Sequence, residues 1–127
     1  MDMREQKFGI EIEMTGITRQ RAAEVLAEYL GSFSHYEGGG YGTYSVSDSE
    51  NRKWKLVSDA SIQCQKKVGS RKQIADRDYS VELVSPICKY EDIEKIQEMI
   101  RVLREAGAFC NKSCGIHIHI NAAPFEA

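Results

Sequence analysis

Two short stretches hold most of the chemistry this chain can do: FGIEIEM at 8–14 and GIHIHIN at 115–121. A strand points successive side chains to opposite faces, so Glu11 and Glu13 stand side by side about 7 Å apart, opposite Phe8, Ile10, Ile12 and Met14. By the same alternation His117 and His119 share a face with Gly115 and Asn121, while Ile116, Ile118 and Ile120 share the other. A third stretch, VELVS at 81–85, sets Glu82 and Val84 against Val81, Leu83 and Ser85. If the apolar parities all face one layer, then Glu11, Glu13, Glu82, His117 and His119 project together from the other side. Such a set offers hard carboxylate oxygens with borderline imidazole nitrogens, the donors Mg²⁺ or Mn²⁺ would take. Carboxylates crowded without a cation have raised pKa values, and a divalent ion reverses that.

Blander readings compete. An antiparallel sheet often wets one face, and for Glu11 and Glu13 alone that explanation suffices. It fits less well when two of only three histidines share one strand face. A structural zinc site from Cys110, Cys114, His117 and His119 is a further alternative. Its spacing is not that of the common closed sites, and a strand over 114–121 turns Cys114 away from both histidines. Asp59, before Ser61, is either a substrate contact or a turn-capping aspartate. GGGYG at 38–42 lacks the Lys-Ser/Thr end of a phosphate loop and reads as a turn. Lys66, Lys67, Arg71 and Lys72 could meet phosphates, but with Asp76 and Asp78 close by they read as a solvated loop. Trp54 reads as core.

The elements that must position these residues follow from periodicity. Strands are predicted at 7–14, at 42–47, at 52–62 ending in a turn around Ser58-Asp59, at 79–87 and at 114–121. TRQRAAEVLAEYLG at 18–31 is a helix with Thr18 as N-cap, Ala22, Val25, Leu26 and Tyr29 as apolar stripe, and Gly31 as stop. YEDIEKIQEMIRVLREAG at 90–107 is the clearest helix. Ile93, Ile96, Ile100 and Leu103 form its stripe, acidic residues crowd its start, and Arg101 and Arg104 its end. Residues 65–78 read as an exposed loop or hairpin tip. The order β-α-β-β-β-α-β predicts an α+β fold, a mainly antiparallel sheet with both helices on one face.

A chain of 127 residues fits one domain with a real core. The net charge of −2 gives no electrostatic case for nucleic acid or an anionic membrane. There is no run of 18 apolar residues and no signal-like N-terminus, so neither membrane nor secretion is expected. Cys64, Cys88, Cys110 and Cys114 then read as reduced thiols in a cytoplasmic protein.

Four blocks in order, FGIEIEM, WKLVSDASI, VELVSPI and NKSCGIHIHIN, resemble the amidoligase family. These are carboxylate–amine ligases of the glutamine synthetase and glutamate–cysteine ligase superfamily. The resemblance covers most of residues 7–121. It implies a glutamine synthetase catalytic-domain-like fold and ATP-dependent amide or isopeptide formation through an acyl phosphate. Mg²⁺ (or Mn²⁺) and ATP are the implied cofactors; small-molecule or peptide carboxylates and amines are the implied partners. By motif position Glu11, Glu13, Glu82 and His117 are similar to the family's metal ligands, and His119 to the histidine nearer the nucleotide phosphates. Glu82 and Asp59 are the implied catalytic carboxylates, Asp59 on the substrate side. Family members are longer, and their later part adds strands and basic residues. The expectation is therefore a single amidoligase-like domain over 1–127, truncated at its C-terminus after APFEA. Two other functions stand beside it: a non-catalytic binding or assembly module that keeps the fold, and a small zinc-bound structural domain. The oligomeric state is left open.

Overall fold

In a computed structural model, which describes residues 5–120, the chain forms an antiparallel six-stranded sheet, a separate hairpin and two helices. The strands are β1 (Phe8–Met14), β2 (Ser34–Gly38), β3 (Thr43–Ser47), β4 (Lys53–Val57), β5 (Gln65–Val68), β6 (Arg71–Ile74), β7 (Val81–Val84) and β8 (Ile116–Ile120). The helices are α1 (Arg19–Leu30) and α2 (Ile93–Glu105). The sheet order is β2-β3-β4-β7-β1-β8, and β5 pairs only with β6. The class is the expected α+β, with both helices on one face.

Register explains which face is dry. Met14 lies opposite Val81, Ile12 opposite Leu83, Leu83 opposite Leu56, and Trp54 opposite Val46. Partners across a ladder share a face. All seven are buried, in one cluster with Ala22, Ala23, Leu26, Ile96, Met99 and Leu103 of the helices. Full burial of each large apolar side chain contributes roughly 1.5–3 kcal/mol. The indole of Trp54 is wholly inside, as expected, and its Nε1–H donates to Asp48 Oδ2 at 2.9 Å.

The helix ends follow their sequence signals. Thr18 Oγ1 accepts from the Arg21 amide, and Gly31 closes α1 in the left-handed region at φ 64°, its N–H reaching Ala27 and Glu28 carbonyls. Gly107, at φ 118°, follows α2. The 90–107 stretch begins with a single 3-10 turn over Tyr90–Asp92.

One expectation needs correction. Strand β2 was not predicted; SHYEG is mostly exposed and has no β-branched residue, so it lacks a strand signal. Strand β4 stops at Val57, and the turn expected around Ser58-Asp59 follows it. The isoleucines of β8 do lie on the helix side, opposite Phe8, Ile10 and Ile12. They are nevertheless 58–61% exposed, since β8 is the sheet edge and neither helix reaches over it. The 65–78 region is a hairpin, as read. Asn121 and the APFEA terminus lie outside the described residues.

Candidate metal centre

The face away from the helices gathers Glu11, Glu13, Glu82, His117 and His119, with Asp59 joining them from the turn after β4. Glu13 pairs with Glu82 across β1 and β7, and Glu82 with Val57 across β7 and β4. One rung along, Glu11 pairs with Val84 on one side and His117 on the other, and Gly9 with His119. Two groups result. Glu13, Asp59 and Glu82 each offer a carboxylate oxygen, and these oxygens lie within 4.8 Å of one another. Beside them, Glu11 Oε1 is 3.2 Å from His119 Nε2 and 3.7 Å from His117 Nδ1.

Asp59 reaches the first group from the turn after β4, and the turn is heavily braced. Its Oδ1 accepts from the Ser61 amide at 2.8 Å and the Ser61 hydroxyl at 2.7 Å. Its own amide donates to Ser80 Oγ, whose hydroxyl donates back to the Asp59 carbonyl. Arg77 donates to the carbonyls of Asp59 and Ile62. Asp59 therefore caps its turn, one of its two readings, and also faces the carboxylates of Glu13 and Glu82. Glu13 is only 5% exposed, and its Oε1 accepts from the Gly115 amide at 2.8 Å. The approach to β8 is tied down by Asn111, which donates to the Gln63 carbonyl and to Gln65 Oε1, and by Ser113 Oγ, which accepts from the Gln63 amide.

Three carboxyls in contact cannot all be charged at ordinary cost. Burial first, then the charges of Glu11 and Asp59, push Glu82 up to about 7. Burial and a hydrogen bond with Asp59 also push Glu13 up. The Ser61 hydroxyl, then the Glu13 carboxyl, hold Asp59 down at about 2. Without a cation the group retains a proton that a divalent ion would displace. The donor set thus fits one: several anionic oxygens in one place, imidazole nitrogens adjacent, and a proton load that marks excess negative charge.

The zinc alternative does not assemble: among the described residues the only such gathering of three or more potential ligands is Glu13, Asp59 and Glu82. Cys110 instead donates its thiol to the Glu13 carbonyl and Cys114 to Asn111 Oδ1. All four cysteines are free thiols. GGGYG is the turn between β2 and β3, and Gly42 accepts there from Arg19. Lys67 and Lys72 sit over the Phe109 ring, 5.3 and 4.8 Å from its centroid. The sequence pattern names Ser61 and Gly115 beside the site but gives no hint of the supports from Ser80 and Arg77. Ser61 left its signal in the Asp-x-Ser spacing of a side-chain-capped turn.

Fold and site together define an α+β protein whose helix-free sheet face is a carboxylate–histidine surface built from three strands and one braced turn. The chain matches the family model described as "Putative amidoligase enzyme" over residues 4–127, and it belongs to that amidoligase family, whose function is of the ligase type. No curated protein and no solved structure matches it. No helix among the described residues is long and apolar enough to cross a membrane.

Proposed function

We propose that the protein is an ATP-dependent carboxylate–amine ligase that forms an amide or isopeptide bond through an acyl phosphate. The observation that carries this reading is the convergence of Glu13, Asp59 and Glu82 beside Glu11, His117 and His119 on the helix-free sheet face. Membership of a ligase-type family supports it.

Glu13 and Glu82, with Asp59 in reach, would hold a Mg²⁺ or Mn²⁺ ion, and Glu11 and His117 would offer ligands to a second. Bound there, such ions neutralise phosphate charge, which is the main demand of phosphoryl transfer. The acid's carboxylate attacks the terminal phosphorus of ATP, ADP leaves, and a mixed anhydride remains. The amine then attacks the acyl carbon, phosphate leaves, and the amine's surplus proton must go to a base. Glu82 and Asp59 are the carboxylates within reach for that step; Asp59, held at about 2, stays ionised at neutral pH but is the weaker base of the two. His119, the more exposed imidazole, lies 3.2 Å from Glu11 Oε1 and would contact the nucleotide phosphates.

Calorimetric titration with Mg²⁺ and a non-hydrolysable ATP analogue tests the reading. Coupled binding of the two, abolished by Glu11→Gln and Glu13→Gln, is the expected result. Retained fold with no nucleotide binding in any metal would leave a non-catalytic module instead.

A further inference from the structure

Strand β8 is an edge that nothing blunts. Natural sheet edges resist pairing with another chain through lysines, prolines, bulges or a covering segment. β8 reads Ile-His-Ile-His-Ile, pairs with β1 without a register shift and, among the described residues, has no neighbour on its other side. Its isoleucines are 58–61% exposed, and Tyr90 and Ile93 leave further apolar surface open beside them. Among the described residues, no charged side chain lines the groove between β8 and α2.

The β1–β8 ladder fixes which backbone groups face the free edge. The Glu13 amide donates to the Gly115 carbonyl at 3.0 Å, and bonded rungs alternate with unbonded ones in an antiparallel pair. Glu11–His117 and Gly9–His119 are therefore the bonded rungs. On the other side of β1 the Ser85 amide donates to the Ile10 carbonyl, as this alternation requires. The N–H and C=O groups of Ile116, Ile118 and Ile120 thus point away from β1. The strand is also a palindrome about Ile118. A second copy laid antiparallel, with a two-fold axis at Ile118, sets Ile118 against itself and Ile116 against Ile120. Those are the residues with outward groups, so each N–H and C=O finds a partner. On the helix side isoleucine meets isoleucine, and on the other face His117 meets His119 of the partner subunit. A slip by one residue would set isoleucine against histidine.

We infer that the protein forms a two-fold homodimer through β8, two copies joined edge to edge about Ile118 into one continuous sheet. A two-fold interface must be complementary to itself, as this strand is, which favours a second copy over any other occupant of the edge. The open apolar surface of Ile116, Ile118, Ile120, Ile93 and Tyr90 is on the order of 500 Å² per copy, which puts the pair near the lower limit of about 1,000 Å² for a specific interface. The dimer is accordingly weak, dissociating in the micromolar range. The inference does not depend on the cation or ligase reading. Its consequence for that site is that two carboxylate–histidine groups share one sheet face, with the Cα atoms of His117 and the partner's His119 about 4.5 Å apart.

Sedimentation velocity of the whole chain at neutral pH, in EDTA so that no metal bridges the histidines, tests this. A monomer–dimer equilibrium at micromolar protein is the expected result. Ile118→Lys sets two ammonium groups at the axis and is expected to raise the dissociation constant about tenfold or more. Ile74→Lys makes the same change at an isoleucine 92% exposed on β6 and is expected to leave it unchanged. Amide hydrogen exchange followed by NMR needs no substitution and locates the interface. The amides of Ile116, Ile118 and Ile120 should gain protection as concentration rises, while those of His117 and His119, bonded to β1, change little. A monomer at every concentration overturns the inference. A monomer whose Ile118 amide is nonetheless protected means that the chain covers its own edge, and overturns it too. A dimer that survives Ile118→Lys, or that leaves the isoleucine amides unprotected, has its interface elsewhere and refutes the β8 seam.

Discussion

Replacing Glu82 by glutamine isolates the cost of crowding carboxylates without a cation. In the folded chain the Glu82 carboxyl titrates at about 7, against an ordinary value of 4.5. The folded state therefore holds the proton more tightly than the unfolded chain. The stability this supplies is complete below pH 4.5 and is lost as pH rises through 7. At 1.36 kcal/mol per pH unit the full loss is about 3 kcal/mol. The side chain is only partly buried, and solvent screening reduces this to about 1–2 kcal/mol. Glutamine is neutral throughout, so at pH 8 in EDTA the variant should be more stable than wild type by about that amount. At pH 4.5 the two should coincide. Subtracting variant from wild type removes the contributions of the histidines, which both proteins carry. Urea denaturation across pH 4.5–8.5, with and without Mg²⁺, measures it. Mg²⁺ at a hundredfold excess over its dissociation constant should stabilise wild type by about 2.7 kcal/mol and flatten its pH slope. The variant should gain much less. If the variant is the less stable protein at pH 8 in EDTA, or if Mg²⁺ stabilises both equally, Glu82 is not part of a cation site.

Three further outcomes follow from the same contacts. His119→Ala should change stability by less than about 0.5 kcal/mol, because the ring is largely exposed, yet abolish nucleotide-dependent heat in calorimetry. Arg52→Met should cost about 3–5 kcal/mol in urea denaturation, since Arg52 holds Asp92 through two 2.9 Å bonds and Asp48 through one of 3.0 Å. Burial would raise Asp48, but the Trp54 indole and the Arg52 and Glu50 amides outweigh it, so part of that stability should fade on acidification below its ordinary range. Gly16→Ala should destabilise by about 2 kcal/mol or more: Gly16 sits at φ 86°, and a Cβ there would meet the Gly107 carbonyl oxygen at 2.5 Å and the Phe109 ring at 2.4 Å. Thermal melts compared with the exposed Gly39→Ala, also at positive φ but with open space around it, separate the clash from the backbone cost.

What the sequence could reveal divides along a physical line. Alternation in FGIEIEM and GIHIHIN encodes which side chains share a face, because a strand has no other way to point them. In the register the two strands adopt, Glu11 meets His117. The approach of Asp59 to Glu13 has no such code. It depends on where a turn ends, and that is set by Ser80 and Arg77, some twenty positions away in the chain. Nothing in a local pattern announces a serine whose hydroxyl both accepts from one amide and donates to the carbonyl of the same residue. The network of Asp48, Arg52 and Asp92 was invisible for the same reason: each reads as surface charge until α2 is laid against the β3–β4 hairpin. The same logic shows why β8 resisted full prediction. Its isoleucine parity correctly names the helix-side face, but parity fixes direction only, whereas burial needs a neighbour. Burial at β8 would need a covering layer over Ile118 and Ile120, yet the groove they form with Phe8, Ile10, Ile93 and Ile96 stays open. The polar face is thus more strongly determined by sequence than the apolar one at this edge, since a ligand set needs only common direction and short range, and pairing with β1 supplies both.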